Sequence, residues 1–389
     1  MIEIMKKYLL SVAVMAMGAT LLTGCLGDDS KNGDTPTEIA VTKGVFVINN
    51  GSSYQSIDGS LTYIDYTTAA PIDQDIYKKV NGKSLGGTPN DVIVYGQKVY
   101  IVGSDENTIF VLDARNCKEL KQVSTTALLG DAEGKTPRRI AAYENKVYFT
   151  TYGGYVAAID TINFALQNKY QVGSAPEGLT FGVNESNLGT LYVANSDYSY
   201  GNGSISKIDV TSGSITEIKN EKVKNPQEIA VAGDVLYVLD WGHYTDDWSQ
   251  QVDAGVYMIS GNDAKLVVPN ATGMAAAGYM IYTFNDPWGG SGATYSTYDI
   301  RSNYTTTLNL SGDSAHKLIS PCAISVDLVT GNIFIASRSL DPDTGYPSYA
   351  MPGFLNVYSN SGQFLESFST GVEPHKIEPS YGTAKVVYQ

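Results

Sequence analysis

Asn225-Pro226-Gln227-Glu228-Ile229-Ala230-Val231-Ala232, a tight turn at Gly233-Asp234, and a return as Val235-Leu236-Tyr237-Val238-Leu239 decide the fold. Both runs are short, rich in β-branched and aromatic residues, and bounded by turn formers, which is the signature of paired strands. The chain then spends 241–255 on a loop holding Trp241, His243, Tyr244, Asp246, Asp247 and Trp248. It resumes as a third strand, Val256-Tyr257-Met258-Ile259. Two strands, a tight turn, a long aromatic loop and a third strand make one unit of a repeat.

The phrase Pro-x-x-(Val/Ile/Leu) recurs at Pro89, Pro137, Pro176, Pro226, Pro321 and Pro374. Successive prolines lie 48, 39, 50, 95 and 53 residues apart, so the 95 spans two units. One unit has lost its proline near Thr272-Gly273-Met274-Ala275, and the count becomes seven. Each second strand carries an aromatic at a fixed place, as in Val99-Tyr100-Ile101-Val102, Val147-Tyr148-Phe149-Thr150, Leu191-Tyr192-Val193-Ala194 and Ile333-Phe334-Ile335-Ala336. Third strands often end in Asp (Asp113, Asp160, Asp209, Asp299), read as caps on the next turn. A fourth, more polar strand closes the unit.

Four short strands per ~40–50 residues match a propeller blade. The expected fold is all-β: a seven-bladed β-propeller whose ring is closed by pairing of N- and C-terminal strands. Gly44-Val45-Phe46-Val47-Ile48 reads as a second strand and Leu61-Thr62-Tyr63-Ile64-Asp65 as a third, both lacking a first strand. The segment after Pro374 supplies that first strand. Lys385-Val386-Val387-Tyr388 also resembles a second strand; Val45 to Ile48 is preferred because Phe46 keeps the aromatic register.

The first residues read as an export signal rather than as part of the fold. Lys6 and Lys7 precede an apolar run, 8–22, and Leu22-Thr23-Gly24-Cys25 has the form of a bacterial lipobox. The expected organisation is a lipoprotein signal peptide over 1–24, lipidation at Cys25, a flexible acidic stalk over 25–40, and a propeller over 41–389. Asp28-Asp29 beside the anchor resembles a surface-export signal, so the expected location is the outer membrane, facing the cell exterior. The membrane is met only through the lipid anchor.

The net charge is −14, with no basic run, which argues against nucleic acid as a partner. Cys117 and Cys322 lie in distant units and form no metal motif.

In a four-stranded antiparallel blade, the second-to-third loop and the link to the next blade share one face. The turns at Gly96-Gln97, Glu144-Asn145 and Gly233-Asp234, on the other face, are short. The second-to-third loops (49–60, 195–204, 241–255, 285–292, 338–353) are long, and long loops tend to carry function. They hold all three tryptophans, Trp241, Trp248 and Trp288, with Tyr54, Tyr198, Tyr200, Tyr244, Tyr346, Tyr349, His243 and Arg338, and Tyr152, just after another second strand, joins them. Rings supply contact area at low entropy cost, and neighbouring amides supply hydrogen bonds.

Residues that follow each proline are expected near the axis on this same face: Asn90, Arg138, Glu177, Gln227, Cys322 and His375. The set is chemically mixed. Glu177, His375 and Asn90 are the one combination with ion-ligand chemistry, but an Arg, a Cys and a Gln intervene, and no metal is expected. Asp341-Pro342-Asp343-Thr344-Gly345 begins like a calcium loop, yet Pro352 occupies the closing-ligand position, so it reads as a turn. Three histidines (His243, His316, His375) suggest no catalytic triad by spacing. The expectation is a binding protein, not an enzyme, with no cofactor.

A lipobox, an acidic stalk and seven Pro-x-x-Ile/Val units with Val45-Phe46-Val47-Ile48-Asn49-Asn50-Gly51 near the start resemble the YncE-like surface propeller lipoproteins. More narrowly, the chain resembles the cobalamin-capturing (BtuG-type) lipoproteins of gut Gram-negative bacteria. The resemblance implies capture of cobalamin (vitamin B12) or a related corrinoid as a transported ligand. It also implies transfer to an outer-membrane TonB-dependent transporter as partner. Two alternatives stay open: a propeller lipoprotein that binds a glycan or protein, and a metal-dependent hydrolase or lyase built on the axial ring.

Overall fold

The computed structural model describes residues 37–68, 72–182, 187–197, 201–245, 251–286, 292–312 and 316–386. Seven four-stranded antiparallel sheets form the blades of a β-propeller. From the axis outward, blade 1 is Pro89–Tyr95, Lys98–Gly103, Thr108–Asp113 and Glu119–Ser124. Blades 2, 3 and 4 begin with Pro137–Tyr143, Pro176–Phe181 and Pro226–Ala232. Blade 5, which lacks the proline, begins with Gly273–Ala277, and blade 6 with Ser320–Val326. Each innermost strand packs against the innermost strands on both sides, so the ring is closed.

Blade 7 is made from both chain ends. Pro374–Val386 is its innermost strand, followed outward by Thr37–Asn49, Ser60–Asp65 and Ile72–Asp73. The two long strands pair antiparallel from Asn49↔Pro374 to Thr37↔Val386. Val45 to Ile48 therefore fills the second-strand slot. Lys385 and Val386 do not compete for it; they prolong the first strand. They pair with Thr37 and Glu38, which draws the start of the strand into the stretch read as stalk. An edge four residues longer on each partner explains both extensions, because each supplies the other's unpaired backbone groups.

The core is divided into seven layers, one between each pair of blades. Val99 and Ile101 of a single strand face blade 7, whereas Tyr100 and Val102 face blade 2. Such a strand is buried on both sides and reads as an unbroken apolar run. The aromatic of each second strand always points to the following blade. Phe46, Tyr100, Tyr148, Tyr192, Tyr237, Tyr282 and Phe334 each fill a different layer. Each ring contributes about 1.5–3 kcal/mol by leaving water. Fourth strands sit on the outer rim and are largely exposed, as in Glu119–Ser124.

The repeated proline has a partner that the sequence reading missed. Gly59, Gly203 and Gly353 lead into third strands and abut Pro89, Pro226 and Pro374 of the next blade. A side chain at any of the three would overlap the proline ring. The terminal Asp residues cap turns as expected. Asp160 Oδ1 accepts from the Ile162 and Asn163 amides, Asp209 Oδ1 from Thr211 and Ser212, and Asp113 and Asp299 act alike. These bonds hold the carboxyls of Asp160, Asp209 and Asp299 below their usual range.

Candidate functional site: an axial cavity beneath aromatic loops

Every innermost strand that opens with the proline phrase carries a register shift beside it. The shifts fall between Pro89 and Asp91, Pro137 and Ile140, Pro176 and Leu179, Pro226 and Glu228, Pro321 and Ala323, and at Pro374–Lys376. Proline cannot donate to the ladder, and a bulge is where a strand accommodates that. The bulge also breaks strict alternation, so both residues after the proline can reach the axis.

A cavity of about 250 Å³ occupies the axis. Arg138, Glu177, Gln227, Cys322 and His375 line it, as does the next residue of several bulges: Arg139, Glu228, Ala323 and Lys376. Tyr152 and Trp241, which follow second strands, line it too. First-strand starts and second-to-third loops therefore share one end of the ring. The lining that sequence reasoning missed (Arg139, Glu228, Lys376) follows from the bulges. Met274 and Phe284 come from the proline-less blade, where Gly273 leaves the space that the Phe284 ring occupies.

Arg138 is held in place from two sides. Its Nε donates to both carboxylate oxygens of Glu177 at 3.1 Å, and its guanidinium stacks 4.7 Å from the Tyr152 ring centroid. The Tyr152 hydroxyl donates to the same Glu177. A second such group stands in blade 6, where Arg338 pairs with Glu373 and lies 4.7 Å from the Tyr349 ring. Arg338 also donates to Ser320 Oγ at 2.8 Å. In both groups a carboxylate anchors an arginine, and the arginine orients a loop tyrosine.

Trp241 is fixed at its base. Asp240, fully buried, accepts from the amides of Lys224, Asn225 and Gly242. The Trp241 indole N–H donates to Thr272 O at 3.2 Å, tying blade 4 to the entry of blade 5. Beyond it, His243–Tyr244 and Gln251–Val252 form a small hairpin inside what the sequence suggested was plain loop.

The other expected site residues are distributed as follows. Asn90 is 1% exposed and donates its amide to Arg138 O at 2.7 Å, so it supports the wall rather than lining the cavity. Tyr54, His243, Tyr244, Tyr346 and Tyr349 stand outside the cavity, on second-to-third loops, and Arg338, also outside it, ends the second strand of blade 6. Tyr54, Tyr346, Tyr349, Trp241 and Tyr244 are 93%, 74%, 50%, 42% and 39% exposed. Tyr198, Tyr200, Trp248 and Trp288, and the lipidation residue Cys25, lie outside the described residues.

Glu177 is engaged by Arg138 and Tyr152, and Asn90 by the backbone, so the trio with His375 does not converge. Among the described residues, no three His, Cys, Asp or Glu side chains are grouped to hold a metal. Asp341 caps its own turn through the amides of Asp343 and Thr344. Burial pushes the Cys322 thiol up to about 12, leaving it unreactive at neutral pH.

Fold and site define the class: a seven-bladed β-propeller with a polar axial cavity at the end that carries exposed aromatic loops. A family described as Domain of unknown function (DUF5074) matches residues 43–198, from the N-terminal strands of blade 7 into blade 3. No curated protein sequence matches the chain.

Among solved structures, Kuenenia stuttgartiensis hydrazine synthase is similar at a TM-score of 0.57 and 12% identity. It covers 77% of this chain and 95% of its own. A Bacteroides uniformis protein described as a candidate 6-phosphogluconolactonase is similar at a TM-score of 0.58 and 12% identity. It covers 87% of this chain and 100% of its own. At such identity the likeness is one of fold alone.

Proposed function

We propose that this protein is a non-enzymatic, lipid-anchored surface binder that captures cobalamin or a related corrinoid and passes it to a TonB-dependent outer-membrane transporter. The observation that carries the reading is a concentration of exposed rings at one end. Among the described residues, Tyr54, Trp241, Tyr244, Tyr346 and Tyr349 present exposed faces on second-to-third loops, at the end of the ring where Trp241 and Tyr152 meet the axis, whereas the short turns at the other end carry Tyr279 and Tyr304. Exposed rings on long loops, one of them (Tyr349) braced by Arg338, make a broad apolar-and-amide surface suited to a large, amide-rimmed guest.

The axial cavity, at about 250 Å³, is smaller than pockets that enclose drug-sized ligands. A corrinoid would therefore lie across the rim and not within the ring. The test is direct: mix purified protein with cyanocobalamin, desalt, and measure retained absorbance while following tryptophan emission. Stoichiometric retention and quenching support the reading. Passage of all colour in the small-molecule fraction at micromolar ligand defeats it, and a glycan panel then addresses the other surface-ligand reading.

A further inference from the structure

The chain is acidic, at −14 overall, yet its axial cavity gathers cations. Arg138 and Arg139 come from blade 2, and His375 and Lys376 from blade 7. These two bulges flank blade 1, so the cationic groups lie on one side of the ring. Two carboxylates also line the cavity. Glu177 is neutralised by Arg138, as described, and Glu228 stands on blade 4, away from blades 7 and 1.

The cations beside blade 1 are incompletely satisfied. The Lys376 ammonium has Asp91 at 3.9 Å, too far for a hydrogen bond. Asp91 is itself occupied by the amides of Val92 and Ile140. Arg139 donates one guanidinium N–H to Asn90 O at 3.0 Å, while its Nε is buried with no partner among the described residues. His375 Nε2 is likewise buried and unpartnered. Burial and the nearby Arg139, Arg138, Lys376 and Arg338 charges hold the His375 imidazole well below its ordinary value, hence neutral at pH 7. A buried donor without an acceptor costs about 1–3 kcal/mol, and like charges crowded around a cavity add to that. An anion relieves both.

We propose that the axial cavity is a binding site for a small oxyanion, a carboxylate or phosphate group, held by Lys376 and Arg139 with His375 beside them. The volume admits a group of a few heavy atoms and excludes a large ligand. Glu228 on the opposite wall limits how much negative charge the site accepts. The proposal is independent of corrinoid capture, which concerns the rim above.

Calorimetric titration of the full protein with inorganic phosphate, and separately with acetate, at constant ionic strength tests it. Saturable binding of one equivalent is expected for at least one anion, and the stronger of the two arms identifies the preferred class. Arg139→Gln should weaken that binding at least tenfold, and Glu228→Gln should tighten it several-fold by removing a like charge. Arg115→Gln, on an exposed outer turn, should leave it unchanged. Should Arg139→Gln fail to fold, Lys376→Gln reads the same loss. No saturable binding of either anion at tens of millimolar, or equal binding by wild type and the folded cavity variants, overturns the proposal. Cyanocobalamin retention is scored separately, so the two readings fail independently.

Discussion

Arg138 and Glu177, on the innermost strands of neighbouring blades, form an ion pair in which one guanidinium Nε meets both carboxylate oxygens at 3.1 Å. Glu177 is only 2% exposed. Removing one member of a buried pair leaves an uncompensated charge, which costs about 3–5 kcal/mol, whereas replacing both with apolar groups is often near neutral. Arg138→Leu is therefore expected to lower the urea midpoint of unfolding strongly, and Arg138→Leu/Glu177→Leu to recover much of the loss. A double variant as unstable as the sum of the two single variants would show that the pair is not coupled in this way.

Gly203 lies against Pro226 of the next blade, and a methyl group there would also stand 2.7 Å from Lys224 O. Neither a backbone carbonyl nor a proline ring can swing aside. Gly203→Ala should destabilise the fold by about 1–3 kcal/mol, the usual cost of overpacking. A thermal midpoint within a degree of wild type would mean that the blade contact yields more easily than the packing implies.

Glu378 sits on the innermost strand of blade 7 and accepts from the Val94 amide at 3.1 Å. Burial, with Asp91 nearby, pushes its carboxyl up to about 7 despite Lys376. The folded protein thus favours the protonated form more than the unfolded chain does. This group's contribution to stability grows as pH falls from above 7 toward 4.5 and is lost as pH rises through 7.

His375, held low, works in the opposite sense below its ordinary value, so only a paired comparison isolates Glu378. Glu378→Gln is expected to raise the melting temperature relative to wild type at pH 8 by an amount equivalent to about 2 kcal/mol. At pH 5 the two proteins should melt nearly together. A gap that does not change with pH would refute the assignment.

Tyr100 fills the layer between blades 1 and 2 with its ring, while its hydroxyl is buried and has no partner among the described residues. The ring stabilises and the hydroxyl costs. Tyr100→Phe should be neutral or stabilising by up to about 1 kcal/mol in chemical unfolding, and a loss of more than 1 kcal/mol would reveal a bond to that oxygen.

The propeller itself could be read from local pattern. Short apolar runs, turn residues and the recurring aromatic act over a few residues and repeat seven times, with the proline kept in six of the seven units. The same topology puts the second-to-third loops at one end; of the residues expected at the axis, Arg138, Glu177, Gln227, Cys322 and His375 line the cavity and Asn90 does not. Three features depended on partners far away in the chain. The bulges that bring Arg139, Glu228 and Lys376 to the axis sit where a proline meets its partner strand, so the proline marks the place but the pairing decides which side chains turn inward. The glycines that abut Pro89, Pro226 and Pro374 belong to the preceding blades. The length of the closing strands reflects what each terminus offers the other: 37–40 and 383–386 pair with one another as strand. Short-range propensity can specify a strand. Which side chain a bulge turns inward, and which charge finds an opposite charge, is set by neighbours that only the closed ring brings together.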